Sequence, residues 1–452
     1  MNKIASAVNV NHLIWVSTLV FMVSPTITAN ALEQDAIRAA LEPGACVEQS
    51  LNEAAVSSIT AAYESRDYKP VWISDGKPNP QAARLLAELQ RSSAHGLKPG
   101  FYGHEALSSL ASDSDGKGLA CFETGLSASF VMYANDMANG YVRKDEWPQH
   151  TIVAPVLYDA STLFDAADQE AGFQEFFKTL LTTDDRYVRL ISKLTEFLRI
   201  EARQAWPEVR NIGSSQNPAA DPDKVKSLLL FSGDLEQKDL LRLGSEPQLL
   251  RQAIARFQSR HGLDTTGRVD LPTIRAMETP VSEKISQIRI NLERRRWQNR
   301  DLGASHVYIN MADQSVRLVR DDEKEGSARI SNAEGLEKLP TFSGQVTGLR
   351  ISDNGELVFE IASDVSVGFF GGKLKAEFPV SGDPQGHLQA LLGSSETEPG
   401  LNEPGDYLDL NPPIDAFVTY VTAWANKDGS VSFRPDVFDR DKELSDLLGF
   451  TR

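Results

Sequence analysis

Residues 250–277 read LRQAIARFQSRHGLDTTGRVDLPTIRAM, and this stretch decides how the rest of the chain is divided. Leu250, Ala253, Ile254 and Phe257 recur at helical spacing, which predicts one buried stripe. Gly262 stands where a left-handed residue ends such a helix, and Gly267 is placed for a tight turn. Asp270 can cap a second helix whose inner face carries Ile274 and Met277. The expectation is a small unit, 236–280, of two short helices around a glycine turn.

Downstream, Val281, Ile285, Ile288 and Leu292 continue the helical period and predict a connecting helix within 281–304. Its basic end, Arg294-Arg295-Arg296, suits the negative end of the helix dipole, and that reading is preferred to an anion site. From about 305 the period changes to two. His306–Asn310 with Ser315–Val319 reads as a hairpin in which Val316 and Leu318 alternate, and Leu357–Ile361 as a strand. Phe417–Trp424 is a β-rich run with Val418, Tyr420, Thr422 and Trp424 on one face. The turn Lys427-Asp428-Gly429 and the strand Ser430–Arg434 follow it.

Upstream, 32–235 reads as mostly helical. Pro80, Leu85, Leu86 and Leu89 mark an amphipathic helix that Gly96 is placed to end, and Ser127–Met137 and Leu190–Phe197 extend the pattern. Ser214–Asp223 is polar, with two prolines, and reads as a surface loop or lid-like insertion. The expected fold class is multidomain α+β: a helical domain, a small helical domain and a β-rich C-terminal domain over 305–452.

The first 31 residues read as a signal peptide. Lys3 is followed by an apolar run, Leu13–Val23, of about 11 residues, too short to span a bilayer. Ala29-Asn30-Ala31 offers a cleavage site, so the expected location is the periplasm; a membrane anchor is the rival reading. The formal net charge of -17 disfavours phosphate backbones and anionic lipid surfaces as partners. Cys46 and Cys121 are the only cysteines, and an even pair in an exported chain reads as one disulfide. The rival reading makes one of them a nucleophile, but neither has a His within a few residues.

Four local signatures, in order, resemble one family. Tyr68-Lys69-Pro70-Val71-Trp72 and Ala94-His95-Gly96-Leu97-Lys98-Pro99, with Tyr133–Asp136 and Gly140-Tyr141-Val142, resemble the scaffold domain of the large murein L,D-transpeptidases of Gram-negative bacteria. Ala255–Leu263 with Gly267 resembles their peptidoglycan-binding domain, although Thr266 stands where an Asp is usual. Ile285–Trp297 resembles the helix leading into the catalytic domain. Thr422-Ala423-Trp424, Asp428-Gly429 and Phe433–Asp436 resemble that domain's last strands. The resemblance implies peptidoglycan as partner, with Gln258, His261, Gly262, Leu263 and Gly267 as the residues that would contact it. For His261-Gly262-Leu263 a structural role in ending the helix competes with contact to glycan or stem peptide.

The resemblance fails at the chemistry. The family's enzymes use a Cys after Ser-His-Gly, with a second His, because peptide-carbonyl attack needs a thiolate and a nearby base. The matching stretch here is Lys375–Pro384, KAEFPVSGDP, which puts Phe378 at the nucleophile's place and Ala376 at the motif His. Val367–Gly372 occupies the upstream His position, and no cysteine follows Cys121. The substrate-capping insertion expected after Leu339–Gly344 is absent as well. Ser381 is near the lost nucleophile but lacks a close base. His12, His95, His104, His150, His261, His306 and His387 form no i, i+4 pair, so neither metal nor cofactor is expected. Phe257 reads as core, and Trp72, Tyr68 and Trp424 read as core rather than sugar-stacking platforms.

The sequence therefore points to a non-catalytic, peptidoglycan-associated pseudoenzyme. Its partner would be the wall itself or an active cell-wall enzyme. The alternative is a working transpeptidase or hydrolase with an unrecognised nucleophile.

Overall fold

The computed structural model describes residues 34–46, 53–112, 116–142, 157–180, 185–207, 221–297, 304–320, 323–332, 334–367, 372–392, 401 and 403–449. The apolar N-terminal run and its cleavage site lie outside these residues. So do most of the polar stretch 214–223 and the core of 367–372.

The N-terminal part is helical: α1 (Gln34–Ala40), α2 (Glu53–Ser65), a two-stranded hairpin β1 (Ile73–Ser74) and β2 (Lys77–Pro78), α3 (Pro80–Arg91), α4 (His104–Ser112), α5 (Gly116–Asn139), α6 (Ala160–Ala167), α7 (Glu170–Leu180) and α8 (Asp185–Ala202). Helix α3 starts as its sequence dictates. The Asn79 side chain accepts the Ala82 N–H, Pro80 takes the first turn, and Leu85 and Leu89 are buried. A 3-10 turn then ends at Gly96, whose φ of +79 is left-handed. Helix α5 is the buried spine, with Phe122, Leu126, Phe130 and Met137 fully enclosed. Trp72 and Phe173 pack on Phe130 with ring centroids 5.5 Å away in each case. Cys46 and Cys121 form a disulfide that fastens the chain after α1 to α5.

The middle contains α9 (Pro222–Phe231), α10 (Gln248–Arg260), α11 (Leu271–Glu278) and α12 (Val281–Trp297). The α10–α11 turn has Gly262 and Gly267 at φ +68 and +65, and Asp270 caps α11 by accepting the Thr273 N–H. Ala253, Ile254, Phe257, Ile274 and Met277 close a common core with Val225, Leu228 and Leu229 of α9. Leu250 packs at its edge, only partly buried.

The C-terminal part is a closed barrel of β3 (His306–Asn310), β4 (Ser315–Arg320), β5 (Glu323–Ile330), β6 (Phe342–Ile351), β7 (Leu357–Val367), β8 (Gly372–Ser381) and β9 (Tyr407–Thr419), with α13 (Pro384–Leu392) following β8. Its order is β3-β4-β5-β8-β7-β6-β9, antiparallel except where β9 closes on β3 in parallel. Alternate residues face inward: Val307 and Ile309, Leu357, Phe359 and Ile361, Leu374, Ala376, Phe378 and Val380. The β5–β8 seam is the short one, paired only at Arg329–Ser381 and Ile330–Val380 among the described residues.

The run 417–424 is not one continuous strand. Strand β9 ends at Thr419, and pairing resumes at β10 (Ala423–Ala425), which forms a separate hairpin with β11 (Val431–Phe433). The interruption is held by side chains from outside the strand. Asn310 bonds both backbone groups of Val421, and Asn291 accepts the Thr422 N–H. The chain thereby leaves the barrel and packs the hairpin on α8 and α12. A last helix, α14 (Arg440–Leu447), follows.

Candidate functional site

The end of α10, α12 and the hairpin β10–β11 meet around an aromatic cleft. Phe197 of α8, Trp206 beyond it, Phe231, Phe257 and Phe433 line it, with Lys284, His261 and Arg260. Neighbouring rings sit at centroid distances of 5.3 Å for Trp206–Phe231, 5.8 Å for Phe197–Trp206 and 6.2 Å for Phe197–Phe433. The Lys284 ammonium lies 4.5 Å from the Phe433 ring centroid and 5.8 Å from that of Trp206. Burial, helped by the Arg260 charge, pushes the Lys284 amine down to about 7. His261 stacks on Phe257 at 3.9 Å, and its Nδ1 donates to the Phe257 carbonyl at 2.8 Å. That bond leaves Nε2 as a buried acceptor without a partner among the described residues. Burial, and then the Lys284 charge, hold the imidazole well below its ordinary value.

Two arginines clamp the helical module to the hairpin. Arg260 pairs with Asp234 and donates to the Val431 carbonyl. Arg434 donates to the Arg260 carbonyl at 2.7 Å and lies over Gly262, where a Cβ would come within 2.6 Å of Arg434 Cδ. Glycine at 262 is thus required both by its backbone angle and by this close approach.

The residues predicted to touch peptidoglycan are mostly turned inward. Gln258 is fully buried. Its amide donates to Thr266 Oγ1, the Arg268 carbonyl and Thr273 Oγ1 at 2.7–3.0 Å, and its oxygen accepts the Gly267 N–H at 2.9 Å. It therefore staples the glycine turn, and Thr266 joins that network. His261 lines the aromatic cleft, Gly267 is buried under the Arg251 backbone, and Leu263 is half-buried. The module's exposed rim is Asp264, Thr265, Thr266 and Arg268.

In the barrel, Phe378 and Ala376 lie on β8 with side chains in the hydrocarbon interior, opposite Phe359 and Ile361. Ser381 is exposed, and its hydroxyl donates to the Arg329 carbonyl at 3.4 Å. Trp72 is fully buried. Tyr68 is half-buried beneath Arg38, and Trp424 is half-buried with the Arg317 and Arg434 guanidiniums over its ring.

The basic end of α12 is not a solvated helix terminus. Arg294 pairs with buried Asp441 of α14. Arg296 pairs with Glu293 at 2.6 Å and donates to the His95 carbonyl and the Tyr187 hydroxyl at 2.8 and 3.0 Å. Helix α12 is wrapped by α5, α8, α14 and β10, so its last turn has little solvent face for charge. Partners 100 or more residues away in sequence bond to both guanidiniums. Sequence periodicity carries no trace of them, apart from the i, i+3 spacing of Glu293 and Arg296. Lys284 also escaped sequence reading, since one lysine in a polar helix start resembles any surface lysine.

Residues 57–194 match the family model described as Scaffold domain, and residues 237–277 match that of the putative peptidoglycan binding domain. The barrel lies outside both matches. No curated protein matches the chain. The two matches support a cell-wall protein associated with peptidoglycan.

Proposed function

We propose that this chain is an exported periplasmic protein that docks on peptidoglycan without remaking its cross-links. On this reading the N-terminal apolar run directs export. Residues 32–235 are a scaffold, 236–280 the wall-binding module, 281–304 the link, and 305–452 a degenerate L,D-transpeptidase-like domain that binds or regulates. The observation that carries it is on β8. The positions that match the family's nucleophile and motif His hold Phe378 and Ala376, both facing the barrel interior. A benzyl side chain offers no nucleophilic lone pair, and a methyl group has neither a titratable proton nor a basic nitrogen. The disulfide occupies both cysteines.

The test pairs two measurements on the full chain. Co-sedimentation with isolated sacculi should pellet the protein. Incubation with a disaccharide-tetrapeptide donor, read by mass spectrometry, should give neither cross-linked dimer nor D-amino-acid exchange. Failure to pellet refutes wall docking, and product from the wild type refutes the pseudoenzyme. A second reading, an enzyme with another nucleophile, draws on one observation: the Lys284 amine titrates near neutrality in an aromatic cleft. Product that disappears in Lys284→Met would establish it.

A further inference from the structure

The aromatic cleft holds a charge that its surroundings do not neutralise. It encloses about 530 Å³, its open mouth included, between α8, α9, α10, α12 and the hairpin β10–β11. Its walls are the rings of Phe197, Trp206, Phe231, Phe257 and Phe433. The other charged side chains in the lining are paired. Lys193 meets Glu196 at 2.6 Å, and the Arg260 nitrogens donate to Asp234, Ser232 and Val431. Lys284 is 4% exposed, and among the described residues its ammonium has no hydrogen bond or ion pair, only the Phe433 and Trp206 rings. Asp234 and Glu283 act on it as more distant charges, and Asp234 already pairs with Arg260. A lysine is almost never buried this far without an anionic partner, and a ring face attracts a cation less strongly than an anion does.

Two further polar atoms in the same lining are unmatched. Among the described residues the Trp206 indole N–H is buried without an acceptor, and His261 Nε2 without a donor. Such groups are uncommon in folded proteins, because each gives up its hydrogen bonds to water. One ligand can answer these deficits together. Lys284 and the indole are donors and call for an anionic acceptor, whereas His261 Nε2 suits a ligand hydroxyl or a water. One uncompensated positive charge matches one negative charge. The ring walls disfavour a small hydrated anion, whose lost hydration they cannot replace, and favour a flat apolar body.

We infer that this cleft binds a small monocarboxylate with an apolar, ring-sized body, its carboxylate on the Lys284 ammonium and its body among the rings. The site is independent of wall docking, so the sacculus experiment and this one fail separately. Titration calorimetry of the full chain at about pH 6 should show sub-millimolar binding of phenylacetate. Acetate, which lacks the ring, phenylacetamide, which lacks the charge, and inorganic phosphate should each bind at least about tenfold more weakly. Lys284→Met should weaken phenylacetate by at least about tenfold and leave phenylacetamide unchanged, which shows that the cleft survives the substitution. Phe231→Ala removes a ring that is 38% exposed, so the core stays intact, and should weaken phenylacetate about threefold. Phenylacetate affinity should also fall about tenfold for each pH unit above about 7, as the free amine loses the proton that the complex needs. His261 is neutral across that range and cannot produce the slope. Absence of phenylacetate binding, equal affinity for phenylacetamide or phosphate, unchanged phenylacetate affinity in Lys284→Met, or parallel loss of both ligands in that variant would overturn the assignment.

Discussion

Replacing Lys284 by methionine should make the protein more stable near neutral pH. The amine is buried, and its folded-state value is lowered from 10.5 to about 7. Across that interval the folded state holds fewer protons than the unfolded chain, so wild-type stability rises as pH climbs from about 7 to 10.5. Below pH 7 the full burden of the buried charge is present, on the order of 4 to 5 kcal/mol for a shift of this size. Methionine keeps the length and packing of the side chain without the charge. At pH 6 the gain should therefore be on the order of 4 kcal/mol, a rise of about 4 °C in melting midpoint for a chain of 452 residues. The two proteins should converge near pH 10.5. Melting curves of wild type and Lys284→Met collected from pH 6 to 10.5 measure this directly. Parallel pH profiles, or a variant that melts lower at pH 6, would refute the account of Lys284 as a destabilising amine.

Three other outcomes are expected. Replacing Cys46 and Cys121 by serine opens a loop spanning 75 residues, which should cost about 4 kcal/mol and lower the melting midpoint under non-reducing conditions; an unchanged midpoint contradicts this. Glu123 accepts the Val71 and Trp72 N–H groups and the Tyr63 hydroxyl, yet burial pushes its carboxyl up to about 7. Its folded state holds the extra proton, so this contribution is present below about pH 4.5 and fades as pH rises through 7. Glu123→Gln should abolish that slope in melting profiles over pH 4.5–7, and its persistence would assign the slope elsewhere. Phe378→Cys should yield no transpeptidase product by mass spectrometry, because the new thiol would face the barrel interior without a His at 376; product from this single variant would show the groove still competent.

What could be read in the sequence follows from how local each determinant is. The α10–α11 unit was legible because stripe, glycine turns and Asp270 cap all lie within 30 residues or so. The Asn79-Pro80 start of α3 is local in the same way. Barrel closure was not legible. Strand β5 reads EKEGSARI, charged and without alternation, and β9 contains Pro412 and Pro413, which argue against a strand. Helix α14, RDKELSDL, looks like a surface segment, yet Arg440 and Asp441 are buried. In each case the stabilising partner is remote: Arg440 donates to the Leu336, Glu337 and Leu339 carbonyls, and Asp441 pairs with Arg294. The predicted contact residues had the same weakness, since a pattern match cannot distinguish a Gln that staples its own turn from one that reaches outward.

The hairpin β10–β11 explains how the barrel is bound into the rest of the molecule. Ala423, Ala425, Val431 and Phe433 share one core with Tyr187, Leu190, Leu194 and Phe197 of α8 and with Ile285, Ile288 and Leu292 of α12. Polar hooks reinforce it: Gln287 donates to the Arg434 carbonyl at 2.7 Å, and Asn291 to Thr422 Oγ1 at 2.8 Å. Burying such amides is favourable only while their partners stay in place, so losing the hairpin would expose an apolar face, orphan the Gln287 amide and leave Asn291 with only its bond to the Gln287 carbonyl. The same hairpin forms one wall of the aromatic cleft through Gly429, Ser430, Val431 and Phe433. A perturbation at Phe433 or Arg434 would therefore disturb the seat of the helical module as well.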